Sequence, residues 1–214
     1  MGGGRGRKII DISRPLSPGT APWPGDEPFL LEWRWRLRDG KPVNLSALRL
    51  SPHSGTHADA PLHVIDGQPG IGEVGLDPFV GPARVVEASV LPGAAVGPAS
   101  LEGLDLSDPP RILLKTGTND DPEKWNPGFA GLEERTARAL VDGGAKLVGL
   151  DTPGVDPPDS IDLAAHRILA AGGLRWIENL DLRGVEPGLY ELIALPLRIV
   201  GGDASPVRAI LIRS

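Results

Sequence analysis

The amino-acid sequence predicts an α/β domain that contains more strand than helix. The 214 residues suffice for one compact domain with its own core. Short runs of apolar and β-branched residues recur along the chain, and glycine or proline bounds most of them. Two longer segments have helical character, and each ends at a Gly-Gly pair that leads directly into a strand-like run.

Nine segments have the composition of strands. They combine β-branched residues or polar–apolar alternation with glycine or proline at their ends. We predict strands at 8–12, 30–37, 44–50, 83–88, 111–115, 147–150, 174–178, 191–197 and 207–212. Periodicity does not give their order, and outside the αβ units we expect antiparallel or mixed pairing.

Two segments are predicted to be helices. The first spans 132–142 and stops at Gly143. The second begins near Ser160, a suitable N-cap, and stops at Gly172. Each helix precedes a strand directly, which makes an αβ unit. Residues 1–7 are Gly- and Arg-rich and are expected to be a flexible arm before a single domain at 8–214.

Composition excludes several classes of function. The formal net charge of −6 opposes a nucleic-acid binder, which needs a basic surface to neutralise phosphates. No run of about 18 apolar residues exists, so no membrane partner is expected. The absence of cysteine removes disulfides, thiolate metal ligands and thiol catalysis. A cytoplasmic enzyme acting on a small molecule is the expectation.

Three of the four histidines lie in the eleven-residue segment "HSGTHADAPLH", as His53, His57 and His63. Asp59 stands between the last two, and the nearby prolines disfavour a long helix, so we expect a loop that can gather these side chains. Imidazole and carboxylate are suitable ligands for zinc or manganese, and the two oxygens of Asp59 can bridge two ions. The alternative is a histidine-rich loop whose rings are hydrogen-bonded locally.

Two further candidates carry a weaker signal. His166 lies on the second predicted helix, where a structural histidine is the commoner case. Glu178 ends the following strand, where a solvated carboxylate is the commoner case. Helix, Gly-Gly turn and strand return the chain along itself, so the two side chains can converge.

The spacing H-x3-H-x-D-x3-H of the histidine segment resembles the signature of the cyclase-like metal-dependent hydrolases. Within that group the chain looks like the bacterial kynurenine formamidases, also called arylformamidases. The similarity extends over ordered blocks along nearly the whole chain after residue 7. They include "APWPGD" at 21–26, "IGEVGLDPFVGPARV" at 71–85, "VGLDTPGVDPPDS" at 148–160 and "ELIALPLRIVGGDASPVRAIL" at 191–211.

The resemblance implies one cyclase-like domain of the swivelling β/β/α type, with a strand-rich mixed sheet and few helices. It implies two divalent metal ions, Zn²⁺ or alternatively Mn²⁺, and a homodimer. The first metal site would use His53, His57 and Asp59, and the second would use Asp59 again with His166 and Glu178.

The resemblance also assigns catalysis and substrate binding. His63 corresponds to the catalytic histidine of the family, and Trp23 to its substrate-contacting tryptophan. The alternative for Trp23 is a packing aromatic between two prolines. Lys115 or a nearby arginine is a candidate partner for a substrate carboxylate, with a solvated charge as the alternative.

The implied reaction is hydrolysis of N-formyl-L-kynurenine to L-kynurenine and formate in tryptophan degradation. Arg167 and Gly154 stand where many members have histidine and serine, which leaves the metal ligands in place but bears on the substrate. Two alternatives stay open. One is a related hydrolase that opens a cyclic amide such as isatin, and the other is a non-catalytic metal-binding module on the same scaffold.

Overall fold

A computed structural model describes residues 8–88, 90–91 and 93–213, so the expected arm at 1–7 lies outside the described residues. The strands are β1 (Lys8–Asp11), β2 (Leu30–Trp35), β3 (Leu45–Arg49), β4 (His57–Asp59), β5 (Val80–Glu87), β6 (Arg111–Lys115), β7 (Leu147–Leu150), β8 (Arg175–Glu178), β9 (Gly188–Ile193), β10 (Ala204–Pro206) and β11 (Ile210–Arg213). The α-helices are α1 (Glu134–Asp142) and α2 (Ala164–Ala171).

Nine of these strands form one mixed sheet in the order β1-β11-β9-β5-β6-β7-β8-β4-β10. The strands from β5 to β8 run parallel, and antiparallel strands extend the sheet on both sides. Strands β2 and β3 form a separate two-stranded sheet. The predicted strand-rich α/β class with mixed pairing is therefore confirmed.

The central strands are apolar on both faces because both faces of the sheet are covered. In β6, Leu113 packs into one cluster of buried residues, whereas Ile112 and Leu114 pack into the other. The second cluster also contains Leu140 of α1 and Leu169 of α2, so both helices cover the same face. Alternate residues of a strand point to opposite faces, which explains the near-continuous apolar run.

All nine predicted strands form, with ends displaced by up to a few residues. Strands β4 and β10 were not predicted. Each has only three residues, and neither shows the polar–apolar alternation of a strand: β4 contains His57 and Asp59, and β10 contains Pro206. Their extended conformation comes from pairing: β4 lies between β8 and β10 and is antiparallel to both. The expected loop at 51–63 thus contains a short strand and ends in a 3-10 helix at Pro61–His63.

The prediction that Ser160 caps the second helix is wrong. Helix α2 begins at Ala164, after Leu163 in the left-handed conformation. The carboxylate of Asp156 accepts the backbone N–H groups of Ala165 at 2.8 Å and His166 at 3.0 Å, so a loop residue caps this helix. Within the described ranges, no helix has the length and apolar character needed to cross a bilayer.

Candidate active site

The paired strands β4 and β8 place two carboxylates, one histidine and one tryptophan on the same face of the sheet. Across the β4–β8 pair, His57 lies opposite Glu178 and Asp59 lies opposite Trp176. Residues directly opposite one another share a face, and so do residues two apart on a strand. Ala58, between the two ligand candidates, points into the core on the other side. A strand of three residues therefore brings a histidine and two carboxylates together.

Three histidines reach this face from neighbouring segments. His53 comes from the turn before β4, His63 ends the 3-10 helix after it, and His166 lies on α2. The turn requires Gly55, because its φ is +63° and a Cβ there would lie 2.6 Å from Leu16 Cδ2. The carbonyl of Gly55 also accepts a hydrogen bond from His57 Nδ1 at 2.8 Å, which leaves Nε2 directed at the carboxylates.

The two oxygens of Asp59 face different histidines. Oδ1 lies 3.1 Å from His53 Nδ1 and 3.4 Å from His57 Nε2, whereas Oδ2 lies 3.7 Å from His166 Nε2. Glu178 repeats this division, with Oε2 at 3.2 Å from His57 Nε2 and Oε1 at 3.2 Å from His166 Nε2. The structure thus brings together all five residues that the sequence singled out as metal ligands, around a central Asp59.

The donor set fits a divalent cation. His57 Nε2 and Asp59 Oδ1 are both buried, and neither has a hydrogen-bond partner within the described part of the chain. An unpaired buried polar atom is costly, and a buried carboxylate costs several kcal/mol unless a counter-charge compensates it. Imidazole nitrogen and carboxylate oxygen are ligands of zinc and manganese, so a metal ion satisfies these atoms directly.

The electrostatics of the cluster also call for positive charge. Burial disfavours the imidazolium form of His53, but the carboxylates of Asp59 and Asp203 outweigh burial and raise its pKa to about 10. Burial also lowers the pKa of His57 and of His166. The nearby carboxylates raise both pKa values by more, so the net shift is upward. The pKa of Asp59 is lowered well below its usual value, against the effect of burial, by the neighbouring imidazoles of His57, His166 and His53.

Side chains that the sequence did not single out orient the cluster. Asp156 Oδ2 lies 2.6 Å from His166 Nδ1, so it fixes the ring whose Nε2 faces Asp59. The indole N–H of Trp176 donates to Asp59 Oδ2 at 2.9 Å. The available signal for Asp156 was its place in the block at 148–160, whereas Trp176 looked like an ordinary core residue of an apolar strand.

Asp203 was also missed. Its Oδ2 lies 3.0 Å from His53 Nε2 and 3.3 Å from His63 Nδ1. It follows two glycines and immediately precedes β10, a strand that the sequence did not predict. Its position in the block at 191–211 was the only signal.

A cavity of about 530 Å³ opens above the cluster, and His53, His57, His63, His166 and Glu178 contribute to its lining. Trp23 lines it as well, with its ring 4.6 Å from that of Trp125 in an edge-to-face contact, and Trp125 was not predicted. The loops that carry the two tryptophans are joined by a hydrogen bond from Ala21 N to the Pro122 carbonyl at 3.0 Å. The aromatic wall is therefore a composite of two loops.

The two candidate cations behave differently. Lys115 is absent from the described lining of the cavity and pairs with Glu87 at 3.2 Å, so the structure gives no support to its suggested role at a substrate carboxylate. Arg14 lines the cavity, and its guanidinium binds the backbone carbonyls of Asn119 and Asp151.

Comparisons with known proteins identify relatives along almost the entire chain. A family model described as putative cyclase matches residues 10–157. The kynurenine formamidase of Salinibacter ruber is 48% identical over 207 residues, which are 95% of this chain and 96% of that protein. The kynurenine formamidase of Bordetella petrii is 44% identical over 205 residues, 96% of this chain and 98% of that protein.

Solved structures agree on the fold. A potential metal-dependent hydrolase with cyclase activity superposes with a TM-score of 0.84 at 26% identity, over 97% of this chain and 99% of that one. An isatin hydrolase bound to the product analogue thioisatinate has a TM-score of 0.83 at 19% identity, over 97% of this chain and 92% of that one. At that identity the second likeness concerns the fold alone.

The metal-free protein is expected to lose stability as the pH rises from about 6.5 towards about 10. Folded His53 keeps its proton up to a pKa of about 10, whereas the unfolded imidazole releases it near 6.5. The folded state then binds more protons than the unfolded state, so the free energy of unfolding falls by about 1.4 kcal/mol per pH unit for this group.

Urea unfolding of chelated protein between pH 6 and pH 9 measures this slope. The metal-loaded protein is the control: its ligand histidines are neutral in the folded state, so the fall in the free energy of unfolding with pH should be absent. If the free energy of unfolding of the metal-free protein stays level or rises over this range, the raised pKa of His53 is contradicted.

Proposed function

We infer the function from one premise, which is that this chain belongs to the cyclase family. Its relatives at 42–48% identity over nearly the full chain are kynurenine formamidases. We propose that the protein is a hydrolase that converts N-formyl-L-kynurenine and water into L-kynurenine and formate, as a step of tryptophan degradation. The composition keeps a cytoplasmic location as the expectation.

One observation supports this function above the others: the acid-and-histidine cluster forms the floor of a cavity that has an aromatic wall. Hydrolysis of a formanilide needs an activated water and a way to protonate the departing arylamine. The cluster supplies the metal ligands, His63 stands beside them, and Trp23 borders the same space. Reacting groups and a binding surface for an aryl ring therefore share one cavity.

The ligand residues in this proposal are those assigned from the sequence. His53, His57 and Asp59 would hold one divalent ion, and Asp59, His166 and Glu178 a second, with Zn²⁺ preferred and Mn²⁺ the alternative. The support for two ions is that each oxygen of Asp59 faces a different set of histidines. When bound, such ions lower the pKa of a coordinated water towards about 7 and polarise a carbonyl oxygen.

His63 would act as the general base and acid. It is only partly buried, it lines the cavity, and its ring centroid lies 5.8 Å from that of His166. Its Nδ1 faces Asp203, so Nε2 is the nitrogen left to exchange a proton. The ring takes a proton from the attacking water and returns it to the aniline nitrogen as the C–N bond breaks, which avoids a high-energy anilide leaving group.

The cavity wall would bind the rest of the substrate. Trp23 is 39% exposed, so its indole retains surface for an aromatic ring beside Trp125. Arg14 and Lys124 line the same cavity and are the cations available to the amino-acid carboxylate.

The alternatives are less well supported. The isatin hydrolase shares the fold at 19% identity, far below the 48% of the formamidase relative. A non-catalytic metal-binding module would have no use for a histidine that stands beside the ligand cluster and lines the cavity, as His63 does.

The first prediction of the proposed function concerns the substrate. Purified metal-loaded protein should turn over N-formyl-L-kynurenine, with a kcat/KM at least about 10²-fold above that for isatin, and chelation should abolish the activity. The change in ultraviolet absorbance upon deformylation measures the rate. A higher kcat/KM for isatin would transfer the assignment to the cyclic-amide hydrolases, and activity that survives exhaustive chelation would refute the metal-dependent scheme.

The second prediction separates metal binding from proton transfer. His63→Ala should retain the bound metal while kcat falls by about 10²–10⁴-fold, because the ring transfers protons and does not hold the ion. Asp59→Ala is the matched control and should lose both ions, since both depend on this carboxylate. Atomic absorption and steady-state kinetics give the two readouts. Full activity in His63→Ala at normal metal content, or loss of one ion only in Asp59→Ala, would contradict the respective roles.

We also propose a homodimer, formed through one face of the β2–β3 hairpin. Leu31 lies opposite Leu48 in the hairpin, and Trp33 follows on the same face. Leu31 is 40% exposed, Leu48 60% and Trp33 44%. Trp35 and Leu45 continue the apolar surface beyond a bulge. The neighbouring Glu32 and Arg34 form an ion pair with each other.

The size of this surface fits a second copy of the chain. An aromatic side chain covers 150–250 Å² when buried, so two half-exposed tryptophans and the leucines leave roughly 400–500 Å² of apolar area. Two such faces supply about 800–1,000 Å², which is the apolar share of a standard interface of about 1,600 Å². A two-fold axis lets the same face meet itself.

The third prediction follows from this interface. Leu31→Glu combined with Leu48→Glu should convert a dimer into a monomer in sedimentation velocity, because four carboxylates would be buried against apolar surface. Val200→Glu, at a residue that is 84% exposed outside the hairpin, is the control and should remain dimeric. A wild-type chain that sediments as a monomer, or a hairpin variant that stays dimeric, would exclude this interface.

A further inference from the structure

We propose that Asp203 is a positioning residue that sets the tautomers of two histidines at once, with His63 held as the base and His53 held as a metal ligand. The inference rests on the proposed function, because it acts through the proton-transfer role of His63. Asp203 lies outside the described lining of the cavity, so it reaches a substrate only through these rings.

The backbone fixes the position of Asp203. Its carbonyl accepts the N–H of Ala60 at 2.8 Å, and the next residue, Ala204, pairs with Asp59 in the β10–β4 register. The carboxylate is therefore anchored to the strand that carries the ligands His57 and Asp59. A substitution of the side chain leaves these backbone bonds intact.

One oxygen of Asp203 serves both rings. Oδ2 lies 3.0 Å from His53 Nε2 and 3.3 Å from His63 Nδ1, and the two ring centroids are 4.4 Å apart. An ionised carboxylate only accepts hydrogen bonds, so each nitrogen that faces it must carry a proton. In a neutral His63 ring this leaves the lone pair on Nε2. His53 Nδ1 also faces a carboxylate, that of Asp59, so its lone pair would be free only where a metal ion takes the place of the proton.

These are the two lone pairs that the reaction requires. His53 Nδ1 faces Asp59 at 3.1 Å, on the side of the proposed ion. His63 Nε2 is left for the attacking water. A carboxylate behind a metal-bound histidine and a carboxylate behind a catalytic histidine are each known devices for fixing a ring. In this chain a single oxygen atom does both.

The test is a double-mutant cycle between Asp203→Asn and His63→Ala, at saturating metal. Asp203→Asn should lower kcat by about 10–100-fold, the usual cost of losing such a partner, with KM changed less than about threefold. In the His63→Ala background the same substitution should leave kcat unchanged, because there is no ring to position. Metal affinity should fall in both backgrounds, since His53 loses its partner in each.

The matched control is Asp156→Asn, which removes the carboxylate behind His166 and does not touch His63. Its loss of kcat should be equal in the two backgrounds. If Asp203→Asn also lowers kcat by the same factor in the wild-type and His63→Ala backgrounds, the inference is overturned and the proposed function is unaffected. A His63→Ala variant with normal kcat would instead remove the proposed function itself, so the two failures are distinguishable.

A readout without turnover completes the test. In ¹⁵N-histidine spectra of the metal-free protein, His63 should be the Nδ1-protonated tautomer, and Asp203→Asn should shift it towards the Nε2-protonated form. Asp203→Ala serves as a second variant if the asparagine form is unstable. An unchanged His63 spectrum in a folded variant would refute the positioning role.

Discussion

The structure depends on one constraint: two carboxylates are buried side by side where β4 pairs with β8. Asp59 and Glu178 are 0% and 3% exposed, so water cannot compensate their charges. Each buried charge costs several kcal/mol unless it is paired and hydrogen-bonded. The surrounding residues meet most of this requirement with three imidazoles, the indole N–H of Trp176 and the backbone N–H of Val155, and they leave Asp59 Oδ1 without a hydrogen bond within the described part of the chain. The same requirement favours a cation at this cluster.

How much of this site the sequence reveals depends on the distance along the chain. His53, His57 and Asp59 lie within seven residues, so their convergence is a local property that spacing predicts. His166 and Glu178 are remote, and without the family resemblance His166 looked like a structural histidine and Glu178 like a solvated carboxylate. Asp203 is farther still, and it reaches the site through β10, whose three residues acquire strand structure only by pairing with β4. Local patterns cannot predict a strand that tertiary pairing creates.

The hairpin shows a different limit. The sequence predicted both of its strands, because each is rich in β-branched, aromatic or aliphatic residues. The same composition is typical of buried strands, and most of these residues are in fact exposed. Apolar content indicates that a surface must be covered, but it does not indicate whether the cover is the chain's own core or another molecule.

In the proposed function, metal binding and substrate choice would use separate parts of this fold. The ligand cluster belongs to β4, β8, α2 and the turn before β4, all held by the packing of the main sheet. The aromatic wall belongs to two loops that are linked to each other at Ala21 and Pro122 and contribute no ligand. Changes in these loops can therefore alter which amide fits without disturbing the buried charges. An isatin hydrolase at 19% identity shares the fold, so the fold by itself does not determine the substrate. Asp203 lies on the ligand side of the division: it supports rings that any amide hydrolysis at this site would need, whichever substrate the loops admit.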